Sequence, residues 1–396
     1  MQTNVSNRYT ALDVLRGMTI AGMILVNNPG SWETIFPPLR HATWSGCTPT
    51  DLVFPFFLFI VGTALSFAFA KYNDALNALS LKKIVKRAFL IFLTGLALNA
   101  FPFYPTSSDP NLSFGANYVE YLSHLRIFGV LQRIALCYLL GGILALWLHK
   151  PNKIIVGMVV LMVLHWVVLS LFGGVEPFSL EGNISGPIDA SVVGANHLYH
   201  GFGIPFDPEG LLGALSGSAT VLLGYLVGGI IRKSQQKIEA VGQLYTIGLV
   251  SLAIGIVLNN FIPINKPLWT PSYVFYAGGW SIVMLAFFIY LIDIKGKEKV
   301  FFPFKALGLN PLFAFVMAGV LSKTLGRIIH WSSVVVQDDG TSKEVTTNAA
   351  SWIYQNGFVS LLGQNEWASL SYALCFVAIF TGLAIILYRY KIVIKL

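Results

Sequence analysis

Ten stretches of this chain are each long and apolar enough to cross a bilayer as a helix. They cover residues 11–28, 51–70, 84–102, 127–148, 154–173, 210–231, 241–261, 273–293, 301–321 and 366–388. About 20 residues of helix span the hydrocarbon core, and lipid offers no partner for an unpaired peptide group, so such segments must be helical. Only 11% of the residues are charged, against about 25% in soluble domains. The expected fold is therefore all-α: a polytopic membrane protein of about ten transmembrane helices, forming one domain over residues 1–396.

The net charge of +8 takes its meaning from where the cations fall. One alternating set of connections holds Lys71, Lys82, Lys83, Lys86, Arg87, Lys150, Lys153, Arg232, Lys233, Lys237, Lys295, Lys297 and Lys299, and the tail adds Arg389, Lys391 and Lys395. The other set holds only Arg40, Lys266, Lys323, Arg327 and Lys343, with Arg126 at a boundary. By the positive-inside rule both termini are cytoplasmic. Orientation thus accounts for the basic balance, and a nucleic-acid partner is not indicated. The first span lacks a small-residue cleavage site and is expected to remain as a helix.

Connections on the opposite face are long and rich in Gly, Pro, Asn, Trp and His, chiefly 29–50, 103–126, 174–209 and 322–365, with a shorter one at 262–272. Function concentrates in such loops. The last long loop is expected to contain short helices, for example around Ala349–Leu362.

Polar residues at membrane depth need a partner or a task. Asp13 and Arg16 in LDVLRG share a helical face, which fits an ion pair at the start of the first helix. Asn27 and Asn28 in VNNPG either end that helix or turn their amides toward a substrate. Arg126, Gln132 and Arg133 enter an otherwise apolar helix, and the arginines, seven apart, lie on roughly one face. Two guanidiniums so placed call for a carboxylate partner such as Asp13 or Glu120, or for an anionic ligand.

His41 precedes the second span in LRHATWSGCTPTD. Asp51 either caps that helix or orients the histidine. Asp207 and Glu209 in DPEG stand before another helix, where they cap it or hold a substrate ammonium. His197 and His200 have i, i+3 spacing but no Cys or HExxH companion, and Cys47, Cys137 and Cys375 are far apart, so no metal site is indicated.

The segments YTALDVLRGMTIAGMILVNNPG, HATWSGCTPTDLVFPFFLFIVG, LRIFGVLQRIALCYLL, NHLYHGFGIPFDPEGLLG, FIPINKPLWTPSYV and LGLNPLFAFV, in this order, resemble the heparan-α-glucosaminide N-acetyltransferase family and its bacterial relatives among the transmembrane acyltransferases. The resemblance runs from about Tyr9 to Val316. It implies a multi-pass enzyme of a bacterial inner membrane, forming a homodimer, that moves acetyl from acetyl-CoA to the amino group of glucosamine or a related amino sugar. The family's active-site histidine falls on His41, and its functional asparagine on Asn27, with Asn28 as the alternative.

Amide formation from a thioester needs a base and an oxyanion donor. His41 would be the base or the acetyl carrier, Asn27 or Asn28 the donor, and Asp51 would fix the imidazole tautomer. The phosphates of acetyl-CoA would meet Arg126, Gln132 and Arg133, or the cytoplasmic Lys82, Lys83, Lys86 and Arg87. The sugar would meet Asp207, Glu209, Trp44 and Trp269. Two other readings stand beside this one: an O-acyltransferase acting on a glycan or lipid, and a sugar permease.

Overall fold

The computed structural model describes residues 9–70, 74–105, 109, 111–336 and 342–394, so Lys71 and Lys395 of the basic set lie outside the described residues. The principal helices are α1 (Thr10–Asn27), α2 (Pro49–Phe69), α3 (Ala78–Ala100), α4 (Phe114–Ser123), α5 (Val130–Leu148), α6 (Pro151–Phe172), α7 (Ser185–Val193), α8 (Leu211–Lys233), α9 (Lys237–Leu258), α10 (Pro271–Phe288, continuing to Ile294 with wider turns), α11 (Phe302–Leu309), α12 (Pro311–Lys323) and α15 (Glu366–Arg389).

Contacts between helix ends reveal how the bundle is threaded. At one end, Thr10 N and Ala11 N at the start of α1 donate to the Asp293 carboxylate at the end of α10. Arg232 at the end of α8 reaches Ser66 O near the end of α2 and pairs with Asp74 just before α3. At the other end, Gly30 N after α1 donates to Ser369 O in the first turn of α15, and Asn99 Nδ2 near the end of α3 donates to Phe128 O before α5. Lys323 Nζ at the end of α12 donates to Asn99 O. Ten helices (α1, α2, α3, α5, α6, α8, α9, α10, α12 and α15) therefore alternate in direction, and the first and last described residues share one end. That end carries Lys82, Lys86, Lys150, Lys233 and Lys295, and the positive-inside rule assigns it to the cytoplasm.

Among the described residues nine helices are long and apolar enough to cross a membrane. The tenth crossing, α3, is basic over its first turns, which places those turns at the lipid headgroups rather than in hydrocarbon. Beyond their polar first turns, α6 and α9 expose many large apolar side chains, among them Val156, Val160 and Val163 on one and Leu249, Ile256 and Val257 on the other. These are lipid-facing surfaces, where apolar exposure has no cost in water.

Helices cross where side chains vanish. A Cβ on Gly62 of α2 would lie 1.9 Å from Val221 O of α8, and one on Gly224 of α8 would lie 2.0 Å from Phe59 O of α2. The two backbones are in contact, the close approach that small residues allow within membranes.

Two features depart from the sequence expectation. The run at 301–321 is not one helix: Pro311 disfavours a helical residue before it, so Asn310 adopts φ −124° and ψ 49° between α11 and α12. Its amide binds the chain's end, donating to Ile392 O at 3.0 Å and accepting from Ile394 N at 2.7 Å. The loop at 322–365 does hold the expected short helices over Ala349–Leu362, α13 (Ala349–Ile353) and α14 (Ser360–Leu362) among them. It also holds an antiparallel hairpin, β1 (His330–Val336) with β2 (Ser342–Asn348), pairing His330 with Asn348. The β-branched residues Val334–Val336 and Val345–Thr347 suit such a ladder.

Candidate active site

The segment between α1 and α2 brings His41 back onto the start of α2. Pro49 opens that helix with its fixed φ, and Asp51 sits in the first turn. Asp51 Oδ2 accepts from Thr48 N at 3.1 Å, Thr48 Oγ1 at 3.1 Å and Ala42 N at 3.0 Å. With that oxygen so used, Oδ1 is aimed at His41 and lies 2.6 Å from its Nδ1. The two roles expected as alternatives for Asp51 are thus performed together, one by each oxygen. The Asp51 side chain is 2% exposed and that of His41 is 45% exposed. A buried carboxylate therefore holds an imidazole whose other edge stays open. Beneath them Tyr273 OH of α10 donates to Asp51 O at 2.6 Å.

A third charged group completes the cluster. Lys266 Nζ lies 3.1 Å from His41 Nδ1 and 3.4 Å from Asp51 Oδ1. Its loop between α9 and α10 is bound to the His41 loop, Gly46 N donating to Ile264 O at 2.7 Å and Asn265 Nδ2 to Trp44 O at 3.1 Å. Asn265 is fully buried and its Oδ1 accepts from Leu268 N. Trp269 takes φ +56°, a left-handed conformation costing on the order of 1 kcal/mol for a residue with a side chain, and its N–H donates to Lys266 O. Lys266 is thereby held in a rigid turn. Sequence reasoning counted it only as a stray cation; its one signal is a lysine on the cation-poor face. Nearby Cys47 has its thiol pushed up to about 12, by burial first and then by the Asp51 charge, so it stays protonated and is no nucleophile near neutral pH.

A second cluster lies at the same end of the bundle. Arg126 Nε and Nη2 donate to the two oxygens of Asp207 at 2.8 and 2.7 Å, and Nη2 also to Glu209 Oε2 at 2.6 Å. These carboxylates hold the guanidinium charged against the cost of burial, well above its ordinary value. Its plane lies over Tyr199, 4.8 Å from the ring centroid. Asp13 and Glu120, the partners named from the sequence, instead meet Arg16 and His124. Arg133 is 1% exposed; Nη2 donates to Pro208 O and Gly210 O, and its guanidinium stacks over Trp269 at 5.4 Å. Gln132 is equally buried. Asp189 of α7 is fully buried, accepts from Leu211 N at 2.8 Å, and has its carboxyl pushed up to about 7, by burial above all.

The remaining candidates divide by place. Trp44 packs edge-on against Phe202 and Phe206 and donates from Nε1 to Phe178 O, tying the 174–209 segment to the His41 loop. Trp269, read from the sequence as a ring for the sugar, is 1% exposed with its Nε1 on Thr220 Oγ1, so it is a core residue under Lys266. Asn28 is buried and donates from Nδ2 to Ile24 O at 2.7 Å, closing its own helix. Asn27 is exposed and, with Asn28, Ser322 and Lys323, lines a cavity of about 180 Å³. Lys86 and Arg87 are exposed near the start of α3, at the opposite end of the bundle from His41. His197 has its Nδ1 2.7 Å from Leu125 O.

Comparison with known proteins bears on this arrangement. Residues 8–181 match the family model for the catalytic region of heparan-alpha-glucosaminide N-acetyltransferase. This stretch includes His41, Asp51, Arg126 and Arg133. The heparan-alpha-glucosaminide N-acetyltransferase of Mus musculus is 27% identical, with 80% of this chain and 54% of the relative covered. That of Homo sapiens is 27% identical, with 78% and 52% covered. The chain spans about half the length of these curated relatives. With its bundle of membrane helices and its histidine and carboxylate at one end, the chain is similar to the heparan-α-glucosaminide N-acetyltransferases over most of its length.

Proposed function

We propose that the protein is a membrane acetyltransferase that moves acetyl from acetyl-CoA to the amino group of glucosamine or a related amino sugar. The observation that carries this reading is the His41–Asp51 pair, 2.6 Å apart, with a buried carboxylate and a half-exposed imidazole. With Nδ1–H donated to Asp51, the Nε2 lone pair is available. In direct transfer the sugar nitrogen attacks the thioester carbon, Nε2 takes the proton the nitrogen sheds, and CoA leaves as thiolate. In the two-step route Nε2 itself attacks, CoA leaves, and the amine then takes the acetyl group from the imidazole. Both routes use the same lone pair.

Acetyl-CoA is the co-substrate in this reading. Arg126 is engaged by carboxylates and Arg133 is buried with only Nη2 on protein acceptors, whereas Lys82, Lys86 and Arg87 are exposed at the basic end of α3. That end is the better place for the phosphates, with the pantetheine arm reaching through the bundle toward His41. Asn27, exposed on the cavity beside α12, is the better oxyanion donor of the two asparagines, because Asn28 is buried with one N–H on Ile24 O. For the sugar, Glu209, whose side chain is 12% exposed where that of Asp207 is wholly buried, is the carboxylate that meets the ammonium group before it loses its proton. A single membrane domain, an inner-membrane location and a homodimer complete the proposal.

The test is mass spectrometry of products made by the purified protein in nanodiscs from acetyl-CoA and glucosamine, beside His41→Ala. N-acetylglucosamine from the wild type alone is the expected outcome. CoA binding without amide product moves the acceptor to a hydroxyl of a glycan or lipid. Absence of CoA binding leaves sugar transport as the reading.

A further inference from the structure

Two polar atoms compete for His41 Nδ1, and it cannot bond both at once. Asp51 Oδ1 lies 2.6 Å from it and Lys266 Nζ 3.1 Å, while Lys266 and Asp51 Oδ1 are 3.4 Å apart. If Nδ1 carries the proton, it donates to Asp51, Lys266 donates to the same oxygen, and Nε2 keeps its lone pair. If Nε2 carries the proton, Nδ1 accepts from Lys266 and the outer edge of the ring has nothing to attack with. If both carry protons, the ring is a cation beside an ammonium.

A carboxylate alone beside an imidazole favours the third state, because it stabilises the positive ring. It orients the ring and also tends to remove its reactivity. A cation close to both groups offsets that charge while leaving the carboxylate in place as an acceptor. We propose that Lys266 is a positioning residue that offsets the charge of Asp51, so that His41 is held by a carboxylate and stays neutral with Nε2 unprotonated. This rests on the proposed role of His41 and extends it to a residue outside the 8–181 match.

The surroundings leave this balance to the pair. Cys47 and Tyr273 face the cluster from the segment before α2 and from α10, and neither is charged near neutral pH, Cys47 because of its raised thiol and Tyr273 because its O–H is donated to Asp51 O. Arg40, next to His41 in the chain, turns away and donates to Ile35 O and Glu33 O. The turn that carries Lys266 is anchored independently of its side chain, through Gly46–Ile264 and Asn265–Trp44, so replacing the ammonium leaves the backbone support intact.

The test uses the full chain in nanodiscs, labelled with 15N-histidine, with His41→Ala assigning the His41 signals. In the wild type the shifts should report a proton on Nδ1 across neutral pH. In Lys266→Met the pH at which the His41 ring charges should rise by roughly one unit, and Lys266→Arg, which keeps the charge, should stay near the wild type. If acetyl transfer is observed, the acidic limb of its pH–rate profile moves by the same amount. A Lys266→Met protein that is folded, as its other histidine signals would show, and whose His41 titration is unmoved overturns the inference. That readout needs no turnover, so it stands or falls apart from the proposed reaction. Loss of the other signals would mean misfolding; Lys266→Gln, closer in shape, then decides by the same titration.

Discussion

Arg126 grips Asp207 with two parallel hydrogen bonds of 2.8 and 2.7 Å, joining the segment before α5 to the turn before α8 across 81 positions of sequence. The Asp207 side chain is wholly buried and that of Arg126 is 30% exposed. Removing one member of such a pair strands the other, a loss of about 3–5 kcal/mol when both are buried. Asp207→Ala should fall at the low end, about 3 kcal/mol, because Arg126 can still reach water. Thermal unfolding in detergent, followed by loss of the monodisperse peak, should show an early transition. An unchanged transition would mean that the grip does not hold these segments together.

Asp51→Asn retains an oxygen for the first turn of α2 but not the charge that faces His41. The fold should survive while acetyl transfer falls by about 10²–10⁴-fold, the usual weight of a general base, because His41 loses the partner that fixes its tautomer. Initial rates at saturating acetyl-CoA, with circular dichroism as the folding control, separate the two roles of the carboxylate.

Asp189 makes stability depend on pH. Its carboxyl is raised by burial to about 7, whereas in an unfolded chain it titrates near 4. Between these values the native state binds the extra proton, so stability falls as pH rises, by up to roughly 1.4 kcal/mol per pH unit. Its contribution is fully present below about 4 and lost on passing about 7. Arg133 opposes the shift and Asp207 adds to it. Asp189→Asn keeps an acceptor for Leu211 N and should flatten the dependence, melting well above wild type at pH 8 and by a smaller margin at pH 5.

Gly308 of α11 touches α1 so closely that a Cβ would lie 1.9 Å from Asp13 O, and Gly17 of α1 meets Phe304 O at 1.8 Å in the same way. Gly308→Ala should force the helices apart and cost about 1–3 kcal/mol, seen as a lower melting temperature. Alanine at Gly296, where no atom lies within 4 Å but φ is +68°, should cost only the backbone strain, about 1 kcal/mol.

The membrane helices were legible because lipid leaves the backbone few alternatives. The break at Asn310 was less so, since LGLNPLF continues an apolar run and only Pro311 marks the interruption. His41 and Asp51, ten residues apart in one segment, could be paired on sight; their connection to Lys266 could not. That contact is made by the docking of two loops through Gly46 and Ile264, which no pattern along the chain announces. For Arg126, Asp207 and Glu209 the residue types were recognised but not their meeting, so the guanidinium was read toward CoA and the carboxylates toward the sugar. Trp269 misled for a physical reason: an indole between prolines at a membrane interface resembles a surface aromatic, yet here it lies beneath Arg133.

The distance in sequence between His41 and Lys266, 225 positions, has a consequence for biogenesis. During synthesis His41 and Asp51 emerge together, early, while the lysine emerges only after α9 and the buried support of Tyr273 only with α10. A nascent or truncated chain ending before Lys266 would therefore display the histidine and its carboxylate without the counter-charge. The three charged groups come together only once the loop between α9 and α10 has docked on the segment before α2.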